Sequence, residues 1–136
     1  MSRVYRVTKD EFLELLSFAQ RSHLAKNEPI PEITNEGIER LESCLATPFQ
    51  TFLDFDLYRG FNNKAAMLLY LLIKNHPLQN GNKRMALLTF AYMFKKNRKK
   101  FPFSSNELYL LAKSIANSKD KDKAIKYIEL LFKKYL

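Results

Sequence analysis

A chain of 136 residues has the length of one domain and can bury a core without staples. Three Gly and five Pro leave little room for long irregular stretches, and a single cysteine excludes an intramolecular disulfide and fits a reducing compartment. The formal net charge of +9 is concentrated: residues 1–94 hold 11 Lys/Arg against 10 Asp/Glu, net +1, and residues 95–136 hold 12 against 4, net +8.

In chain order, residues 1–7 have no long apolar run of a secretory signal, and Val4, Tyr5 and Val7 suit a short extended segment. Thr8-Lys9-Asp10-Glu11 is a capping box. Phe12, Leu15, Leu16 and Ala19 follow at helical spacing, so a first helix is expected to about Leu24 or Ala25, with His23 read as a C-terminal cap in preference to a catalytic group. Asn27-Glu28-Pro29-Ile30-Pro31 reads as a loop. Thr34-Asn35 caps a second helix with Ile38, Leu41 and Leu45 on its apolar face, ending before Pro48. Cys44 on this helix reads as a small buried apolar residue, with catalytic nucleophile as the alternative.

Residues 48–61 interleave Phe49, Phe52, Phe55, Tyr58 and Phe61 with polar residues, without helical or alternating period, and are expected to form a long loop or hairpin. The aromatics either pack on the domain or form a binding flap, and taken alone they favour packing. Asn62 or Asn63 is expected to cap a third helix ending near Asn75. A fourth opens near Asn82 and runs through Phe94 toward Asn97. Ser104-Ser105-Asn106-Glu107 is a second capping box, for a helix faced by Leu108, Leu111, Ala112 and Ile115. Asp120 or Asp122 starts a sixth helix. The basic C-terminal third attracts nucleic acid or an acidic partner, or is simply a solvated face; no nucleic-acid motif is present, so nucleic acid ranks last. The apolar runs are about half the roughly 20 residues of a membrane span, so a soluble, cytoplasmic protein without membrane contact is expected.

The stretch His76-Pro77-Leu78-Gln79-Asn80-Gly81-Asn82-Lys83-Arg84 lies between two segments apolar nearly all round. Gly81 permits a turn directly before a helix whose first N–H groups make an anion site. Lys83 and Arg84 add two cations, Arg84 with a planar fork. Asn82 donates through its amide or serves as the N-cap. His76, with an ordinary pKa near 6.5, can take a proton from an attacking hydroxyl. These are the minimum parts for transfer from a nucleotide; the alternative is a polar helix–helix connector with a capping histidine.

The stretch resembles the signature of the Fic/Doc (death-on-curing) family, His-Pro-Phe-x-Asp/Glu-Gly-Asn-Gly/Lys-Arg, matched here at His76, Pro77, Gly81, Asn82, Lys83 and Arg84. Leu-Glu-Ser, Pro-Phe-Gln-Thr-Phe, Asp-Leu-Tyr, Lys-Ala-Ala and Lys-Asn-His-Pro, within roughly residues 41–94, resemble its Doc branch. The resemblance implies an all-α, Fic-type bundle of about six helices, one domain over 1–136, with a flap at Pro48–Gly60 that aligns target backbone, as in recognition by β-addition. It implies ATP as donor and Mg2+ as its ion, His76 as base, Arg84 as a catalytic phosphate contact, and Gly81, Asn82, Lys83 and Arg84 around the nucleotide. Most members transfer AMP; Lys83, where most have glycine, points to the Doc side and transfer of the γ-phosphate. That implies a toxin acting on a protein target, a translation elongation factor in the known Doc case, and restrained by an antitoxin. An inhibitory Ser/Thr-x-x-x-Glu-Gly/Asn helix is not found: Glu36-Gly37 has Glu32 at the hydroxyl position.

Two positions depart from the signature. Leu78 replaces phenylalanine and remains apolar. Asn80 replaces the acidic residue that holds magnesium, and a neutral amide is a weaker ligand for a hard cation; Asn80 either still holds the metal weakly, with the nucleotide phosphates as its main ligands, or marks a weak or silenced enzyme or a tamed toxin. The competing readings are an AMP transferase on the same scaffold and a silent nucleotide- or protein-binding module.

Overall fold

The computed structural model describes residues 3–22 and 28–135. They form six helices, α1 (Lys9–Arg21), α2 (Asn35–Ala46), α3 (Gly60–Lys74), α4 (Asn82–Lys96), α5 (Ser105–Asn117) and α6 (Lys121–Tyr135), and one small hairpin, β1 (Thr51–Phe52) and β2 (Phe55–Asp56). The all-α expectation holds.

Helix α3 is the axis. Ala65, Ala66, Leu68, Leu69 and Leu72 are buried on every side of it, because α2, α4, α5 and α6 all pack against it. Each large apolar side chain so buried contributes roughly 1.5–3 kcal/mol. Toward the C-terminal end of α4, Phe90 and Phe94 join Phe61, Phe101, Phe103 and Phe132 in one aromatic cluster; Phe61 meets Phe94 edge-on at 4.8 Å. Among the described residues no helix is long and apolar enough to cross a membrane.

Both capping boxes form, with Thr8 and Glu11 closing α1 and Ser104 and Glu107 closing α5. Thr34 Oγ1 accepts from Gly37 N–H at the start of α2, and Asp120 accepts from Lys123 N–H at the start of α6. Three boundaries differ from expectation. Helix α1 ends at Arg21, where the Ser22 N–H and hydroxyl both turn back to Ala19 O; His23, Leu24 and Ala25 lie outside the described residues. Neither Asn62 nor Asn63 caps α3, which begins at Gly60 with Arg59 as N-cap and no side-chain cap. Residues 3–8 form no strand. Asn97 bonds both the N–H and the C=O of Tyr5, and Lys96 bonds Arg6 O. The N-terminal segment is thus held by the end of α4, and part of the basic run is spent inside the fold.

The hairpin splits the aromatics of residues 48–61. Phe49 and Tyr58 pack against the core and Phe61 is buried in α3, but Phe52 and Phe55 are 66% and 65% exposed. The packing expectation fails for these two because Phe52 pairs with Phe55 across the strands, which puts both on one face of the hairpin. The turn residues Leu53 and Asp54 both have positive φ, 50° and 66°, matching the twist of a two-residue hairpin loop. The anchor is Lys64, only 4% exposed. Its Nζ bonds Asp56 Oδ2 at 3.0 Å, also bonds Tyr58 O, and lies 5.7 Å from the Phe49 ring centre.

Candidate active site

The loop of residues 75–81 joins the two most buried helices and is held by α2 and by the segment after α1. From α2, Arg40 Nε donates to His76 O at 3.2 Å, a loop carbonyl just past the C-cap Asn75 of α3. Also from α2, Gly37 presses against Pro77: a Cβ there would meet Pro77 O at 2.2 Å. From the segment after α1, buried Ile30 lies under Gly81, where a Cβ would meet Ile30 Cγ1 at 2.9 Å. Gln20 holds that segment through Ile30 O and Pro31 O.

Gly81 has φ +84° and is the N-cap of α4, a conformation that a side chain would strain. Asn82 is therefore the first helical residue rather than the cap. Its amide clasps the loop, with Oδ1 accepting from Leu78 N–H and Nδ2 donating to Leu78 O, both at 2.8 Å. Leu78 is buried and anchors the loop in the core where the signature has phenylalanine. The first N–H to bond within α4 is that of Met85, to Gly81 O at 3.0 Å. The N–H groups before it make the positive end of the helix.

His76 is exposed, with φ +47°. That is a left-handed conformation in a non-glycine residue directly before proline, of the strained kind that collects at functional sites. Its Nδ1 lies 3.4 Å from Asn82 Nδ2, so the clasp that shapes the loop also neighbours the imidazole. Arg84 reaches across the site and donates from Nη1 to Glu28 O at 2.7 Å. Lys83 is exposed. His76, Asn80, Gly81, Asn82, Lys83 and Arg84 all line one cleft of about 730 Å³, whose far wall is the Tyr109, Lys113 and Ala116 face of α5. This volume is within the range of small-molecule sites. Lys74 ties that wall to α3, its Nζ donating to Ser118 O at 2.6 Å and Ala116 O at 3.3 Å. No residue of 48–61 lines the cleft.

Magnesium does not fit the residues present. Asn80 offers one neutral oxygen, which already accepts from Gly81 N–H at 2.9 Å. The cleft lining contains a single carboxylate, Glu28. Among the described residues no group of three or more His, Cys, Asp or Glu is placed to hold a metal. A hard divalent ion that relies on one or two protein carboxylates beside substrate phosphates finds only a neutral amide at Asn80.

Cys44 is not part of this site. Its Sγ is buried against Leu71 O and Asn75 Nδ2. Burial pushes its thiol up to about 11, against the partial opposing pull of Asn75, which leaves it inert. The C-terminal charge gathers elsewhere: Lys99, Lys100 and Lys133, with Arg59, rim a cavity of about 590 Å³ floored by Phe61, Phe94 and Phe132. Sequence reasoning missed Gln20, Ile30, Gly37 and Arg40 as supports of the loop. The only signal was that Gly37 interrupts a helix, where glycine costs about 1 kcal/mol relative to alanine.

Compared with models of known families, residues 7–94 match the Fic/DOC family. No curated protein and no solved structure matches the chain with significance.

Proposed function

The chain belongs to the Fic/DOC family, whose members are typically transferases that modify proteins, and from that premise we propose that it is a Doc-like toxin transferring the γ-phosphate of ATP to a hydroxyl of a target protein. The observation that carries the reading is the convergence of His76, Gly81, Lys83 and Arg84 on one cleft at the start of α4. A base, a helix N-terminus and two cations converge there, which is what phosphoryl transfer asks of a protein: positioning and electrostatic stabilisation.

In this reading the target hydroxyl oxygen attacks the γ-phosphorus, the bond to the β-phosphate oxygen breaks, and ADP leaves. His76 accepts the hydroxyl proton on the ring nitrogen that carries the lone pair. The Asn82 clasp keeps the imidazole and the cradle in one register. Lys83 and Arg84 meet the phosphate charge. Lys83 supports phosphate over AMP transfer through the likeness of this position to the Doc branch. The exposed Phe52–Phe55 face of the hairpin suits an extended target segment. An acidic antitoxin segment, disordered until bound, suits the net charge of +9, and a translation elongation factor is the first target to try.

The test is incubation of purified protein with cell extract and ATP labelled at either the γ or the α phosphate. Protein label from the γ position alone, lost in His76→Ala, is the expected result. Label from the α position would establish AMP transfer instead. Label from neither, with growth unaffected by expression, would leave the silent binding module.

A further inference from the structure

We propose that this chain holds the phosphates of its nucleotide without a divalent metal, through Lys83 of α4 and Lys113 of α5 in its place. The inference rests on the nucleotide reading above and extends it to the chemistry of the bound species, which would be free ATP rather than its magnesium complex.

Three observations carry it. First, the position that would ligate a metal is Asn80, a neutral amide whose oxygen also accepts from Gly81 N–H, so the protein offers no anionic ligand to a cation there. Second, the cleft is lined by four cations, Lys74, Lys83, Arg84 and Lys113, against one carboxylate, Glu28. Lys74 is occupied with the carbonyls at the end of α5, and Arg84 is turned in part to Glu28 O. Third, Lys83 and Lys113 are exposed, come from different helices, and among the described residues neither makes an ion pair. An anion entering the cleft neutralises them both. Magnesium on the phosphates would remove two of the negative charges that make this attractive, and the protein supplies no carboxylate at Asn80 to gain from the metal.

The sign of the effect is therefore the reverse of the usual one. Binding of a fluorescent ATP analogue is titrated in excess EDTA and in excess magnesium. Affinity equal or tighter in EDTA is expected. Lys83→Ala and Lys113→Ala each weaken binding in EDTA by about tenfold, while Lys126→Ala, outside the cleft, leaves it unchanged. Asn80→Asp, which adds a charge instead of removing one, weakens binding in EDTA by about tenfold and makes it magnesium-dependent. Wild-type affinity tenfold tighter with magnesium would overturn the inference and leave the phosphotransfer reading standing. No binding in either buffer would overturn both.

Discussion

Replacing Gly37 by alanine is the sharpest perturbation of the site, because it touches no residue that would meet substrate. The added Cβ would sit 2.2 Å from Pro77 O and 2.9 Å from Ile33 Cγ1. Ordinary contact begins near 3.4 Å, so more than 1 Å of movement is required. Pro77 O belongs to the backbone of the candidate catalytic loop, one residue after His76, and cannot rotate away as a side chain would. Alanine gains about 1 kcal/mol of helix propensity over glycine, and overpacking costs roughly 1–3 kcal/mol, so the net loss of stability is about 0–2 kcal/mol. At roughly 3–5 °C per kcal/mol for a domain of this size, the melting temperature falls by less than about 10 °C and the protein remains folded. Transfer suffers far more, since displacing a reacting group by about 1 Å costs on the order of 100-fold. The assay pairs γ-phosphate labelling with thermal unfolding and with the imidazole NMR signals, which are few because the chain has two histidines. A Gly37→Ala protein with wild-type labelling and an unmoved His76 resonance would refute the claim that α2 sets the loop.

Three further substitutions probe the frame around the site. Asn82→Ala removes both bonds to Leu78 and leaves a buried residue's N–H and C=O without that partner; a loss of about 1–3 kcal/mol in urea unfolding and faster exchange of the Leu78 amide are expected. Lys64→Met strips the hairpin of its anchor at Asp56 and Tyr58, so exchange at the Leu57 amide, bonded to Gln50 O, accelerates while the helices keep their protection. Glu11 tests the seam between α1 and α4. Burial raises its pKa, but bonds from Lys96, Tyr92 and Thr8 outweigh it and hold the carboxyl at about 2, against an ordinary 4.5. A depressed carboxylate stabilises the fold above its unfolded pKa, and that stability is lost as pH falls from about 4.5 through about 2. Glu11→Gln is therefore about 2 kcal/mol less stable at pH 7, with the gap closing toward pH 2; a gap independent of pH would contradict the ion-pair account. Tyr92, donating to the same carboxylate, is pushed up to about 12 by that bond, with burial and the nearby acidic charges adding to it, and stays protonated throughout this range.

Local chemistry was legible in the chain. Thr8 and Ser104 cap helices through atoms three residues away, so their capping boxes need no tertiary partner. The apolar period and the two unbroken apolar runs led to six helices with α3 and α4 at the centre. The candidate site residues form one contiguous stretch, picked out by its likeness to the family signature and by the anion chemistry of a loop entering a helix N-terminus. What the chain could not disclose depends on residues distant in sequence. That Phe52 and Phe55 face solvent while Phe49 and Phe61 do not follows from the hairpin register and the Lys64 anchor. That Asn82 clasps Leu78 rather than capping α4 follows from the left-handed turn at Gly81. That Gly37 and Arg40 belong to the same assembly as His76 follows from α2 packing across the end of α3. The sequence by itself determined which groups are available for the chemistry, since side-chain acidity, charge and capping are properties of a few neighbouring residues. Only the tertiary structure decided which of them meet, because the cleft takes one wall from α4 and the other from α5, and that juxtaposition is set by packing.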